Sequence, residues 1–370
     1  MANEFITIKE IARGALPRLM ENLVFPSLIY RDFSGDFARN LGDKIQVRKP
    51  VVLEARDFDE SVGVTPQDIK EESVEVTLDK IATVDVDITA LQGASNVNDI
   101  QRQFIEPAAA ALAQKINSDG LGLYADIPGF VGTAGQTPGT LEDLAAVRCA
   151  LNQSCVPVSP RYAVWDTEAD TKFTTIDALV NAEKSGTSEA LRDGSIGRVF
   201  GLNNFMSQAV RTHESAVTAA QGLKVNGAVS AGAAALDIDG TSLAGHFVKG
   251  DLLIIGGRSY VVTRDSAEAS SNAIAGVEVY PALPDIADNT DVTLVGRHTA
   301  NLAFHPMAFA FVTRPLTQPA GVESYVTNYN GLSLRVVRGY NMTYKKEMLS
   351  MDVLYSFKTM HPELAVRVLG

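Results

Sequence analysis

Apolar positions recur at helical spacing from Ile6 to Met20, interrupted by Gly14 and Pro17, and Phe25, Leu28, Ile29, Tyr30 and Phe33 follow in quick succession. The pattern predicts a short helix and then an extended arm. So apolar an arm needs a cover, either its own domain or a neighbouring chain. Beyond it the period changes to two. Lys44-Ile45-Gln46-Val47-Arg48 and Ser73-Val74-Glu75-Val76-Thr77-Leu78-Asp79 alternate, the second continuing as Thr83-Val84-Asp85-Val86-Asp87-Ile88. Between them Glu54 to Pro66 is too long and too charged for a tight turn, so a long hairpin with a charged tip is predicted.

Helical spacing returns from about residue 97 to 118, where Asn96, Asn98 or Asp99 can cap and Phe104, Ile105, Ala108, Leu112 and Ile116 form one stripe. Pro107 lies inside it and permits two collinear segments. After a Gly- and Pro-rich stretch from Gly129 to Gly139, Thr140 with Asp143 makes a capping-box entry to a helix over Leu141–Leu151. A strand over Arg161–Trp165 and a helix over roughly 167 to 182 give this part a mixed α and β character.

Near Gln221 the helical signal stops. From Gly222 to Arg297 six short β-type runs alternate with Gly, Asp, Asn and Pro: Leu223–Val225, Ala235–Ile238, Leu252–Ile255, Tyr260–Thr263, Val277–Tyr280 and Val292–Val295. Their spacing of roughly ten residues predicts a small barrel or sandwich inserted into the preceding domain. Leu302–Val312 then reads as a buried helix or a strand entry, and Leu332–Arg338, Met348–Tyr355 and Ala365–Leu369 alternate as strands.

With 370 residues, 46% hydrophobic and 21% charged, the chain has the composition of an ordinary globular protein of two or three folding units. The 32 Lys and Arg against 44 Asp and Glu give a net charge of -12, the wrong sign for gripping phosphate, although an acidic container wall would let enclosed DNA slide. Cys149 and Cys155 are too few for a disulfide framework and fit a reducing cytoplasm. The N-terminus lacks the charge and apolar pattern of an export signal, and no apolar run approaches a membrane span.

Chemistry is not legible. The histidines, His213, His246, His298, His305 and His361, show no zinc-binding spacing, and a scattered histidine is ordinarily a surface or satisfied core residue. Gly120-Leu121-Gly122 with Ala125 resembles half a dinucleotide fingerprint but follows a helix, where the motif needs a strand. Asp237-Ile238-Asp239-Gly240 lacks the other ligands of a calcium loop and reads as a hairpin turn. No catalytic residue, cofactor site or metal site is expected. A hydrolase using His305 would need a nucleophile and an orienting partner that are not identifiable.

The order of arm, charged hairpin, long helix, mixed domain, inserted β module and closing strands resembles the major capsid protein fold of tailed double-stranded DNA bacteriophages. Two stretches carry the resemblance, Leu191-Arg192-Asp193-Gly194-Ser195-Ile196-Gly197-Arg198-Val199-Phe200-Gly201-Leu202 and Asn301-Leu302-Ala303-Phe304-His305-Pro306-Met307-Ala308-Phe309. Gly250-Asp251-Leu252-Leu253-Ile254-Ile255-Gly256-Gly257 is similar to a strand and turn of the subgroup with an inserted β-barrel.

The resemblance implies an α+β fold with an N-terminal arm (1–40), an extended β-hairpin loop (41–90), a peripheral spine helix (91–131) and a central axial domain (132–221 and 298–331). The barrel insert (222–297) and peripheral C-terminal strands (332–370) complete it. It implies self-assembly into hexamers and pentamers of an icosahedral head, assembled in the bacterial cytoplasm, with a scaffolding protein, a portal protein and room for a decoration protein. The enclosed double-stranded DNA would be bound without sequence specificity, and no membrane is involved.

Phe25, Tyr30 and Phe33 of the arm and Arg56, Asp57, Asp59 and Glu60 of the hairpin tip are the expected inter-subunit contacts. Nothing before Phe5 resembles a scaffolding segment removed by a protease, so no such cleavage is expected. An encapsulin-like nanocompartment shell is the alternative, disfavoured by the inserted module. A secreted adhesin using that module would carry a signal peptide.

Overall fold

The computed structural model describes residues 8–31, 44–48, 73–87, 105–181, 183, 189–329, 331–341 and 346–370. The chain divides into two compact units, one formed by Met1–Met20, Arg31–Leu112 and Ala310–Met360, the other by Glu21–Tyr30, Ala113–Phe309 and His361–Gly370.

The first unit is built on antiparallel strands. Lys346–Thr359, the longest, lies between Lys80–Asp87 and Leu332–Asn341, and Glu323–Tyr329 adds to the far edge. The alternation in Lys80–Asp87 is realised directly: Ala82 is buried while Thr83 and Asp85 are exposed, the Thr83 hydroxyl donating to Asp85 at 2.9 Å. Val76, Leu78, Ala310, Val312, Leu354 and Met360 form an apolar cluster.

The expected hairpin pairing is present, with Lys44 opposite Thr77 and Arg48 opposite Ser73. It is shorter than the alternation suggested. After Thr77 the chain changes partner, and Lys80–Asp87 pairs with Lys346–Thr359 instead. A period-two pattern gives a strand's two faces and not its partner.

The first helix, Ile8–Asn22, continues through Gly14 and Pro17 where an earlier stop was expected. Ile11, Ala12, Ala15, Leu16 and Leu19 are buried, and Pro17 lies on the exposed face, where water can satisfy the carbonyl its missing N–H leaves unpaired. The long helix is described over Glu106–Leu121. Its expected residues 97 to 104 lie outside the described residues. Pro107 is the second residue of the span Glu106–Leu121, and the stripe residues Ile105, Ala108, Leu112 and Ile116 are all buried.

In the second unit a seven-stranded mixed sheet runs in the order Phe130–Val131, Ala365–Leu369, His298–Phe304, Tyr162–Trp165, Leu202–Met206, Arg198–Val199, with Thr212–His213 also on His298–Phe304. The ambiguous segment after the insert is therefore two strands, His298–Phe304 and Phe309–Arg314, separated at Pro306 by a single 3-10 turn.

Helix Leu141–Gln153 begins with the expected capping box: the Asp143 amide donates to the Thr140 hydroxyl at 3.1 Å and the Thr140 amide to the Asp143 carboxylate at 2.9 Å. The next helix ends at Thr174, short of 182, and a separate turn follows at Asp177–Val180. Thr171, Thr174 and Thr175 hydroxyls bond back to carbonyls of the preceding turn, a competition that ends helices.

Between these elements lies an all-β module with its own core, including Val225, Ile238, Phe247, Leu253, Tyr260, Val262 and Val277. Its main sheet runs Lys224–Val225, Ala235–Asp239, Ala273–Tyr280, Arg258–Val262, Leu252–Ile255, Val292–Leu294. The two ends of this path meet: the Val292 amide donates to Leu223 and the Val225 amide to Thr290, both at 2.9 Å, so the bonding runs round a closed ring.

Every expected run in the module is a strand or overlaps one. Two further strands, Ala216–Gln221 and Ser242–His246, pair with each other in a separate two-stranded ladder that begins before the expected start of the module at Gly222. Asp239-Gly240 is accordingly a corner between two ladders and not a hairpin turn, since Ala235–Asp239 and Ser242–His246 have different partners.

Candidate functional site

Two of the seven expected contact residues fall within the described residues. Phe25 opens the short helix Phe25–Leu28, with Pro26 in its first turn. Its ring is fully buried against Phe304 (5.4 Å between centroids) and Phe309 (5.6 Å), in the second unit's own core. Of the two covers the arm allowed, Phe25 takes its own domain. Asn117 of the long helix fixes the approach: its side-chain oxygen accepts from the Val24 and Phe25 amides, both at 3.2 Å, and its amide donates to the Asn22 carbonyl at 2.9 Å.

Tyr30 is 38% exposed and stays available to a neighbour. Phe33, Arg56, Asp57, Asp59 and Glu60 lie outside the described residues. Other large apolar side chains are exposed that were not singled out from sequence. In the second unit these include Leu191, Phe200, Phe205 and Met206; in the first, Tyr329 and Tyr340. Leu191, Phe200 and their neighbours belong to a stretch that carried the resemblance, but no periodic signal marks them as outward-facing.

The least expected feature is a buried polar cluster where the β module meets the mixed sheet. Thr212–His213 leads toward the module and His298–Phe304 leads out of it, and the two strands pair with His213 opposite His298. Their rings lie 5.4 Å apart. His213 bridges Tyr124 and Asp251, its Nδ1 3.0 Å from the Tyr124 hydroxyl and its Nε2 3.0 Å from the Asp251 carboxylate. Asp251 also accepts from the Ser215 hydroxyl and the Val248 amide, both at 2.8 Å.

Arg367, fully buried, donates to the carbonyls of Gly250 at 2.8 Å and Tyr124 at 2.6 Å, and its guanidinium stacks 4.9 Å above the Tyr124 ring. Burial lowers the Arg367 pKa to about 10, which leaves it a cation at neutral pH. Burial raises the Tyr124 phenol. Burial likewise lowers His298 to about 4, with the Arg367 charge acting in the same direction. Gly250 has φ +100 and its α-carbon packs so closely that a side-chain carbon would stand 2.9 Å from Ala125. Sequence could not place these groups together, since residues 124, 213, 251, 298 and 367 share no spacing.

The hydroxyls of the cluster face buried bases: Ser215 donates to Asp251 and Tyr124 lies against His213, and both Asp251 and His213 are buried. His305 caps the turn that follows it, accepting from the Met307 amide at 3.3 Å. Burial lowers its pKa. Among the described residues no group of three or more His, Cys, Asp or Glu is placed to hold a metal ion, and no helix is long and apolar enough to cross a membrane. Cys149 and Cys155 are both free and exposed.

No family model matches the chain and no curated protein matches its sequence. Solved structures do. A chain of Mycobacterium phage Che8 aligns with TM-score 0.50 at 14% identity, over 94% of this chain and 90% of that one. The capsid structure of cyanophage P-SCSP1u aligns with TM-score 0.47 at 13% identity, over 94% and 88%. The holo-SrpI encapsulin complex from Synechococcus elongatus aligns with TM-score 0.41 at 12% identity, over 100% and 92%. At this identity the match to the Che8 chain establishes a shared fold.

Proposed function

We propose that this chain is the major capsid protein of a tailed bacteriophage, a structural subunit that assembles into hexamers and pentamers of an icosahedral head around double-stranded DNA. The observation that carries the reading is the fold shared with the Mycobacterium phage chain along nearly the whole length of both. The resemblance of Leu191–Leu202 and Asn301–Phe309 to coat-protein segments supports it, as does a net charge of -12, which suits a wall that does not grip its contents.

On this reading the arm and the hairpin overlap neighbouring subunits, with Tyr30 and the charged tip at Arg56, Asp57, Asp59 and Glu60 among the contacts. The module at 222–297 is the inserted barrel of the central domain. Assembly uses a separate scaffolding protein and a portal, leaves room for a decoration protein, and involves no catalysis. Many individually weak contacts suit such a shell, because multiplicity stabilises the closed particle while single errors stay reversible.

The test is expression of the chain alone and together with a scaffolding protein, followed by sedimentation and negative-stain electron microscopy. Closed icosahedral particles, with aberrant shells when the scaffold is missing, are the expected result. A monodisperse monomer or small oligomer under every condition would sink the reading. Closed shells that form without scaffold and recruit a protein cargo would favour the nanocompartment instead.

A further inference from the structure

The junction beneath the β module accommodates only one protonation state of a histidine. The Nδ1 of His298 lies 2.8 Å from the Gly296 carbonyl, which can only accept, so Nδ1 carries a proton. Its Nε2 faces Nη1 of Arg367 at 3.4 Å, and a guanidinium can only donate. The contact is attractive while Nε2 is a lone pair. A second proton would set N–H against N–H and place two cations side by side in a site that water does not reach, His298 being 2% and Arg367 0% exposed. The same Nη1 holds the Gly250 carbonyl of the module.

We propose that this junction is an acid-sensitive latch: protonation of His298 displaces Arg367 from Gly250 and undocks the β module from the mixed sheet, while module and sheet each keep their fold. His298 faces Arg367 from the last strand and His213 from the entry strand, and His213 in turn bonds Asp251 from the module's turn and Tyr124 from the 3-10 helix Gly122–Asp126. Asp251 is the one anion of this set, and its oxygens are already engaged by His213, Ser215 and Val248. At the margin, Lys249 pairs with Asp126 at 2.7 Å and Arg211 with Asp119 at 3.1 Å. Burial first, then the Arg367 and His213 charges, oppose the imidazolium more than the Gly296 carbonyl and Asp251 favour it.

Undocking is separable from unfolding because the module has its own core and a closed ring of backbone bonds. Where it meets the sheet, buried Leu252, Val261 and Leu369 pack with partly buried Val295 and Phe130.

Hydrogen–deuterium exchange of the full chain from pH 7 to 4, corrected for intrinsic rates, tests this. Exchange at 122–127 and 248–251 is expected to rise about tenfold between pH 6 and 4.5, while strands Ala273–Tyr280 of the module and Ala365–Leu369 of the sheet stay protected. H298Q, whose amide can accept from Arg367 and donate to Gly296 but does not titrate, is expected to abolish the rise. A rise of the same size in H298Q, no rise in the natural chain, or equal loss of protection in 273–280 would each overturn the latch. If H298Q does not fold, histidine-labelled NMR of the natural chain decides. The His298 titration and the onset of exchange at 248–251 must coincide, and separate midpoints reject the proposal.

Discussion

The side-chain oxygen of Asn117 lies 3.2 Å from the backbone amide of Phe25, and this bond aims an apolar arm inward, because Phe25 is then seated between Phe304 and Phe309. Truncating Phe25 to Ala removes a fully buried ring and should cost about 3–5 kcal/mol. Asn117→Ala leaves the Val24 and Phe25 amides and the Asn22 carbonyl without this partner and should cost about 1–3 kcal/mol. Urea denaturation checks both. The double variant should lose less than the sum, because the two side chains hold one segment.

Gly250 answers to both its backbone and its neighbour. At φ +100 an L-residue is strained, and its side-chain carbon would stand 2.9 Å from that of Ala125 and 3.2 Å from the His213 ring. Gly250→Ala should destabilise by about 2 kcal/mol or more, read by thermal unfolding. Adding Ala125→Gly should restore part of the loss, since it clears the nearest atom but leaves the φ penalty and the His213 contact.

Arg335 and Asp352 stand directly opposite each other on neighbouring strands, joined through two guanidinium nitrogens at 3.0 and 2.6 Å to one carboxylate oxygen. Asp352 is buried, so Arg335→Met leaves its carboxylate without this counter-charge, with the Ser350 hydroxyl still donating to it at 2.8 Å, and should cost about 2 kcal/mol, whereas the double change to Arg335→Met and Asp352→Leu should cost less. A double-mutant cycle measured by chemical denaturation tests the ordering. If the single and double variants cost the same, the pair does not act as a unit.

His298 sets a pH dependence of global stability. Its pKa falls from 6.5 to about 4 on folding, through burial first. The unfolded chain therefore binds more protons between those values, and the contribution of His298 is fully present above pH 6.5 and lost as pH falls toward 4. Stability should rise with pH across this window. H298Q should reduce the slope there by up to one proton, and an unchanged slope would remove His298 as its source.

The sequence by itself determined the local elements. The capping box at Thr140 and Asp143, the strands of the β module and the stripe on the long helix were legible because each rests on residues a few positions apart, where steric preference and burial period act directly. The strands Ala216–Gln221 and Ser242–His246 escaped because Ala, Ser and Gly give almost no β signal, and their pairing with each other protects them.

Tertiary structure alone decided partners and environments. The alternation of Ala365-Val366-Arg367-Val368-Leu369 predicts a strand, and both its faces are buried, Arg367 included, because the strand lies inside the sheet and beneath the β module. Arg367 becomes the centre of the junction for that reason. Likewise His213 and His298, 85 positions apart by numbering, meet because the chain leaves for the module and returns on adjacent strands. Periodicity reports which residues turn away from water along one element; it carries no information on which other element will cover them.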